Sequence, residues 1–217
     1  MRLPTKSGFR RRRRAATTAV LRKVGRSRTR AILRRAALPE GAKVHLGCGP
    51  VHLDSWVNVD IDRDVKPDIR VDLRFGFPAI PSSVAFIFSE HVFEHLSLEN
   101  GVQLFADCQR ALLPGGVMRI AMPDLRYIVD RYLGDWKNQT WLQDPGYLMI
   151  DTPARMLNFA LRSWEHLYVY DIADLTLRLN EAGFTEVAAQ EWGQSEHPEL
   201  RGLERRPDSM LIVEAIK

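Results

Sequence analysis

The stretch Lys43-Val44-His45-Leu46-Gly47-Cys48-Gly49-Pro50, followed by Val57-Asn58-Val59-Asp60, decides the reading of this chain. A short apolar run leads into a Gly-x-Gly turn, and a second apolar run ends on a carboxylate. Gly47 and Gly49 permit a sharp turn and let a ligand approach the backbone with no Cβ in the way. Asp60, one strand over, can accept hydrogen bonds from both hydroxyls of a ribose. A Gly-x-Gly turn alone is often only a turn. The strand before it and the acid after it point to a nucleoside pocket.

Outward from that motif the text alternates between short apolar runs and turn residues. Strands are expected at 44–46, 57–61, 69–72, 84–88 and 117–122, apolar on both faces as buried parallel strands are. A helix follows Ser97, a capping residue, with Glu99 in its first turn. Val102, Phe105, Ala106, Leu112 and Leu113 share its inner face, and Pro114-Gly115-Gly116 stops it. A later helix starts near Asp171, turns Ile172, Leu175, Leu179 and Ala182 inward, and ends at Gly183. Strands at 187–189 and 210–215 close the chain. Strands alternating with helices predict an α/β sheet with helices on both faces. Only residues 47–56 separate the first two strands, fewer than the dozen or so a full crossover helix needs. The first helix must be shortened or replaced by a loop, with Leu53 and Trp56 covering the sheet instead.

At 217 residues the chain has room for one domain with a real core. No apolar run approaches the ~18 residues that span a bilayer. No 7–15-residue apolar block follows the early charges, as a secretory signal would require. Two cysteines make no disulfide framework and fit a reducing compartment. Cys48 suits the glycine turn by its small size, and no helix N-terminus or base beside it argues for a reactive thiol. A cytoplasmic protein is expected.

The net charge of +4 conceals an asymmetry. Residues 1–39 hold 14 Lys/Arg and no acid, whereas the remainder holds 17 Lys/Arg against 27 Asp/Glu, a net charge of −10. The basic character therefore belongs to a tail, 1–39, and not to the domain, 40–217. Arg10 to Arg14 repel one another and need solvent, so the tail is expected to be disordered. Three roles stay open: contact with an anionic surface such as lipid headgroups or nucleic acid, which would make the protein peripheral to a membrane in the first case; a targeting peptide; or no partner at all.

Gly47 to Pro50, Asp60, Asp72, the segment 89–96 and the turn Leu113-Pro114-Gly115-Gly116 together resemble class I S-adenosylmethionine-dependent methyltransferases. The nearest resemblance is to a group of predicted bacterial methyltransferases, several associated with surface polysaccharide or glycan clusters. These share His-Leu-Gly-Cys-Gly, then Trp-x-Asn-Val-Asp, and a last loop like 195–204. The resemblance covers residues 43–217. It implies a Rossmann-like, doubly wound seven-stranded sheet whose last strand is antiparallel, and S-adenosyl-L-methionine as cofactor. It also implies roles: Gly47, Cys48 and Gly49 beneath the amino-acid part of the cofactor, Asp60 on the ribose, Asp72 at the adenine amine with Leu73 against the ring, and Ser89 and Glu90 at the methionine end. In the family an acid often precedes the core of the fourth strand; here that place is Ala85.

An oxygen or amine acceptor must lose a proton, so a base near the transferred methyl group helps. His91, Glu94 and His95 follow the fourth strand at the edge where open α/β sheets bind ligands. His91 is one candidate base and His166 another, with Asp124 on the same rim to orient a hydroxyl or to cap a helix. His-x-x-Glu-His also has metal-ligand spacing, but no third ligand is evident, and no metal is expected. Residues 125–165 carry Tyr127, Tyr132, Trp136, Trp141, Tyr147, Phe159 and Trp164, either a cover over the acceptor or a subsidiary core. The loop 191–208 is expected to close the pocket, with Arg201, Arg205 and Arg206 available to an anion or to solvent.

The expected activity is methylation, at oxygen, of a small molecule or glycan. The alternatives are a nucleic-acid methyltransferase using the basic tail, disfavoured by the acidic domain, and a non-catalytic binding domain. A nicotinamide-dependent oxidoreductase ranks low because His52 stands where its third glycine belongs.

Overall fold

Runs that are apolar at successive positions have no polar face to offer water, and here they pair edge to edge in the interior. The computed structural model describes residues 6–217, with side chains from residue 21 onward. Seven strands form one sheet: β1 (Ala42–Leu46), β2 (Val57–Asp60), β3 (Ile69–Arg70), β4 (Val84–Glu90), β5 (Leu112–Met122), β6 (Glu186–Ala189) and β7 (Leu211–Ile216). Their spatial order is β3-β2-β1-β4-β5-β7-β6. β7 runs antiparallel to β5 and β6, and the remaining pairs are parallel. The Rossmann-like sheet expected from the sequence, with its antiparallel last strand, is the architecture observed.

Alternate residues of the central strands serve two different layers. Val44, Leu46, Ile87, Met118, Ile120 and Val213 face the larger one. The helices α2 (Leu98–Ala111) and α5 (Ile172–Glu181) cover it with Leu104, Phe105, Cys108, Leu175 and Leu179. Ser97 caps α2 through Asn100 N, and Asp171 caps α5 through Asp174 N. Leu112 and Leu113 belong to β5 and not to the inner face of α2, which ends at Ala111. Pro114 explains the shift, because its ring drives the residue before it out of the helical region.

The opposite layer holds Leu53, Trp56, Phe88, Val117, Ala121, Leu200, Leu203 and Ile212. Loops cover it where helices were expected. Residues 47–56 contain no helix, and Leu53 and Trp56 pack on the sheet in its place. Buried Asn58 holds this loop, accepting from Leu53 N at 2.9 Å and donating to the carbonyls of Leu53 and Trp56. The loop 191–208 covers the rest. Its anchor is Arg119 of β5, fully buried, which pairs with Glu204 of the loop and with Glu214 of β7 at 2.6 Å, and donates to Gln194 O at 2.8 Å.

Between β5 and α5 lie α3 (Leu125–Leu133) and α4 (Pro153–Arg162), which pack on each other. The rings of Trp141, Tyr147, Phe159 and Trp164 stack and meet edge to face at centroid distances of 5.0–5.8 Å. They form an aromatic cluster that stays partly exposed, with Trp164 38% accessible.

The tail differs from the disordered arm expected at 1–39: Lys6–Ala36 is a helix, α1. The side chains of Arg10 to Arg14, on which that expectation rested, lie outside the described residues. The second half of the helix docks on the domain. Leu33 joins the core, Gly25 lies against the ring of Phe75, and Arg26 makes two 2.5 Å contacts with the buried carboxylate of Asp107. Arg22 pairs with Glu99. The acidic surface of the domain supplies the partners that the tail lacks within itself. No helix among the described residues is long and apolar enough to cross a membrane.

Candidate active site

The strand order reverses between β1 and β4, the point at which the carboxyl ends of an open parallel sheet leave a crevice. A cleft of about 680 Å³ opens there. Gly47, Gly49, Asp60, Ile61, Asp72, Leu73, Arg74, His91, Val92, His95, Leu96, Trp164 and Arg206 contribute to its walls.

Local sequence builds each wall. The amides of Gly47 and Cys48 both donate to Val59 O, at 2.8 and 3.1 Å, which folds the turn back onto β2. Gly47 has φ +68, and a Cβ there would stand 2.2 Å from Val92 Cγ2. Gly49 has φ +51 and would point a Cβ into open space. Asp60 accepts from Gly49 N at 2.9 Å and from Asp62 N at 2.8 Å, one amide on each oxygen. Each carboxylate oxygen keeps a lone pair, so the same side chain shapes the glycine turn and still has acceptors for a diol. Asp72 caps the 3-10 turn Leu73–Phe75 and forms a bidentate pair with Arg74, with contacts of 2.8–3.1 Å.

Three expected cofactor residues do not line the cleft. Cys48 is buried within the turn, and burial together with nearby Asp60 pushes its thiol up to about 11, so it stays protonated. Ser89 is buried inside the sheet. Glu90 binds the loop 191–208: its carboxylate accepts from Arg205 N, Arg206 N and the Ser209 hydroxyl at 2.8–3.1 Å. The loop is therefore held by Glu90 from β4 and by its own Glu204 on Arg119, two roles that sequence reasoning did not assign. Arg205 is turned to the carbonyls of Gly202 and Glu204, and Arg201 to those of Ser195 and Glu196, whereas Arg206 reaches the cleft wall.

The candidate bases converge on one residue. His91, just past β4, is held at φ +52, a conformation unusual for a side chain with a Cβ. Its Nδ1 lies 3.0 Å from Glu94 Oε1 and its Nε2 lies 3.1 Å from Ser209 Oγ. Glu94 is fully buried. The Glu94 carbonyl accepts from Leu167 N and Tyr168 N at 2.7 and 3.1 Å, which docks the distant segment 163–170 on the turn after β4. That docking carries His166 to Glu94 and stacks its ring edge to face with His95 at 5.0 Å. His166 Nδ1 lies 2.9 Å from Ala160 O, and burial lowers the basicity of its ring.

Asp124 stands further off. It caps α3 through Arg126 N at 2.9 Å, and burial pushes its carboxyl up. With His166, Tyr127, Trp141 and Trp164 it lines a second cavity of about 30 Å³. Trp164 belongs to both cavities. Sequence reasoning missed the meeting of His166 with Glu94 and His95, because some seventy residues separate them and no local pattern records the docking.

No family model and no curated protein sequence matches the chain. Among solved structures it is similar to a SAM-dependent methyltransferase from Archaeoglobus fulgidus, with 15% identity over 90% of this chain and 94% of that one and a TM-score of 0.50. It is also similar to an S-adenosylmethionine-dependent methyltransferase from Mesorhizobium loti, with 19% identity over 84% of this chain and 95% of that one and a TM-score of 0.48. At 15% identity the first of these likenesses shows the fold alone, a Rossmann-like α/β sheet shared with that methyltransferase.

Proposed function

We propose that the protein is an S-adenosylmethionine-dependent methyltransferase acting on a hydroxyl of a small-molecule or glycan acceptor. The observation that carries this reading is the cleft at the strand-order reversal, with Gly49 open to it and Asp60 held at its rim with acceptors to spare. A volume of about 680 Å³ lies within the usual range of cofactor pockets. The residues fit the group: Gly47 and Gly49 would underlie its amino-acid part, Asp60 would take the ribose diol, and Asp72 and Leu73 would border the adenine.

When bound, the cofactor supplies a sulfonium methyl group open to in-line displacement. The work of the chain is alignment and proton control. Val92, Leu96 and Trp164 give the cleft apolar surface that excludes water. The imidazoles gathered on Glu94 stand at the wall where an acceptor hydroxyl must shed its proton. Trp164 offers a ring face at the passage between the two cavities, a surface suited to a sugar. A small-molecule or glycan acceptor is favoured over nucleic acid because Arg22 and Arg26 of the basic helix are paired within the chain and the domain itself is acidic.

Calorimetry with S-adenosylhomocysteine tests the cofactor. Binding to the wild type and at least roughly tenfold weaker binding to Asp60→Ala are expected, the loss of a charge-assisted hydrogen-bond pair. No affinity in the wild type removes the assignment. With an acceptor in hand, His91→Ala should lower turnover by roughly 10²-fold, and an unchanged rate would reject its part in proton removal.

A further inference from the structure

Glu94 is a buried carboxylate whose nearest charge partners are imidazoles, His91 Nδ1 at 3.0 Å and His95 Nε2 at 4.0 Å. The side chain is fully buried, and its oxygens make no well-directed hydrogen bond among the described residues, the nearest group being His91 Nδ1 at 3.0 Å from Oε1. Burying a bare carboxylate costs several kcal/mol unless a cation or donors stand beside it. Its neighbours are imidazoles, and their outer hydrogen bonds orient them. His166 Nδ1 faces a carbonyl, Ala160 O, and must carry the proton, which leaves Nε2 with a lone pair. The Ser209 hydroxyl donates to Glu90 Oε1 at 2.8 Å, so its oxygen accepts from His91 Nε2. His91 Nδ1, on the ring that this bond holds, stands 3.0 Å from Glu94 Oε1. A buried carboxylate and an imidazole whose outer nitrogen is fixed by a backbone carbonyl thus meet at one point, as do metal ligands held by a second layer of partners.

We propose that Glu94, His95 and His166 bind a divalent first-row transition cation of the Zn2+ type, at the junction of the cleft and the ring-lined cavity. Their ligand atoms lie within 4.8 Å of one another. Coordination bonds of about 2.0–2.2 Å require the rings to close in by roughly 1 Å, and His95 is partly exposed. His91 Nδ1, beside Glu94, stands next to this set. Two imidazoles and one carboxylate suit zinc and its neighbours, whereas Mg2+ prefers oxygen and retained water. Three protein ligands leave a position open, as in catalytic sites. His95 faces the cleft and His166 the smaller cavity, so that position lies where donor and acceptor would meet.

A hydroxyl directed at the ion would give up its proton more readily to the base proposed above, His91, whose Nδ1 stands beside this set. Its oxygen would then form the new C–O bond as the C–S bond breaks, with the electron pair left on sulfur. This catalytic role rests on the methyltransferase reading; the binding of the cation does not.

The test uses the full chain, treated with chelator, dialysed, and titrated with Co2+ by visible absorption and with Zn2+ by calorimetry, with Mg2+ as comparison. About one Co2+ per chain with ligand-field bands, displaced by Zn2+ and not by Mg2+, is expected. His95→Ala and His166→Ala should weaken Zn2+ by roughly 10²-fold, at the upper end of what even supporting residues contribute. Circular dichroism checks that each variant is folded; should His166→Ala unfold, the partly exposed His95→Ala decides. The proposal is overturned if the wild type takes up no Co2+, if the folded variants bind Zn2+ as tightly as the wild type, or if thiolate charge-transfer bands place the ion on a cysteine. Zn2+ binding without affinity for S-adenosylhomocysteine would leave the metal site standing and remove the methyltransferase reading. The opposite pair of results would do the reverse.

Discussion

Gly47 shows how one residue answers two demands. Its φ of +68 disfavours any side chain, and the missing Cβ leaves space for Val92. Gly47→Ala should therefore destabilise by about 2–4 kcal/mol, strain plus overlap. Adding Val92→Ala removes the overlap and not the backbone strain, so denaturant melts should show partial recovery in the double variant. Full recovery would mean the strain is negligible. Gly49→Ala meets no neighbour and should cost less stability while still obstructing the cleft. His45, in the same motif, does structural work. It is buried beside Phe88, with its Nδ1 3.4 Å from Asn58 Oδ1, and burial lowers its pKa from 6.5 to about 4. Between those values the unfolded chain binds a proton that the folded chain does not, so stability rises with pH through that window. The full contribution is present above pH 6.5 and is lost as pH falls toward 4, to a total of about 3 kcal/mol. His45→Gln should flatten the melting profile between these limits.

At the scale of elements, the loop 191–208 replaces a helical layer and is held by charge. Arg119 lies inside the sheet against Glu204 and Glu214. Such a cluster adds little net stability as a whole, but removing one member strands the others. Arg119→Met should cost about 3–5 kcal/mol and expose the loop to protease. Replacing Arg119, Glu204 and Glu214 together with apolar residues should cost less than the single change. The loop also carries Arg206 to the cleft and leads directly into Ser209, which meets His91, so the same variants should weaken binding of S-adenosylhomocysteine. The strands along the chain and the helices α2 and α5 were legible because their apolar spacing is local, whereas the order of the strands in the sheet was not. The absence of a helix in 47–56 was legible from length alone. Two functions of acids were not: Glu90 and Glu204 look like ordinary strand-end and loop carboxylates until the chain folds back on them.

At the scale of the whole molecule, α1 joins a strongly basic segment to an acidic domain. Its docking uses Leu33, the bare face of Gly25 against Phe75, and Arg26 on Asp107, which also accepts from Phe77 N at 3.0 Å. A Cβ on Gly25 would stand 2.5 Å from the Phe75 ring. Gly25→Leu should lift the helix and speed tryptic cleavage within residues 22–35, while leaving affinity for S-adenosylhomocysteine unchanged. Cleavage at the wild-type rate would show that the helix does not depend on this contact. Mutual repulsion of the arginines suggested disorder because a tail read by itself has no counter-ion in view.

The chain by itself determined the sheet, the glycine turn and the acid one strand over, since those depend on period and spacing between near neighbours. Only the tertiary structure decided which acids are occupied and which histidines meet. Glu90, Glu94 and Arg119 each take partners from the chain's last quarter or, for Glu94, from a segment some seventy residues away. Contacts at such separation are set by how layers pack, and packing leaves no periodic trace in the sequence.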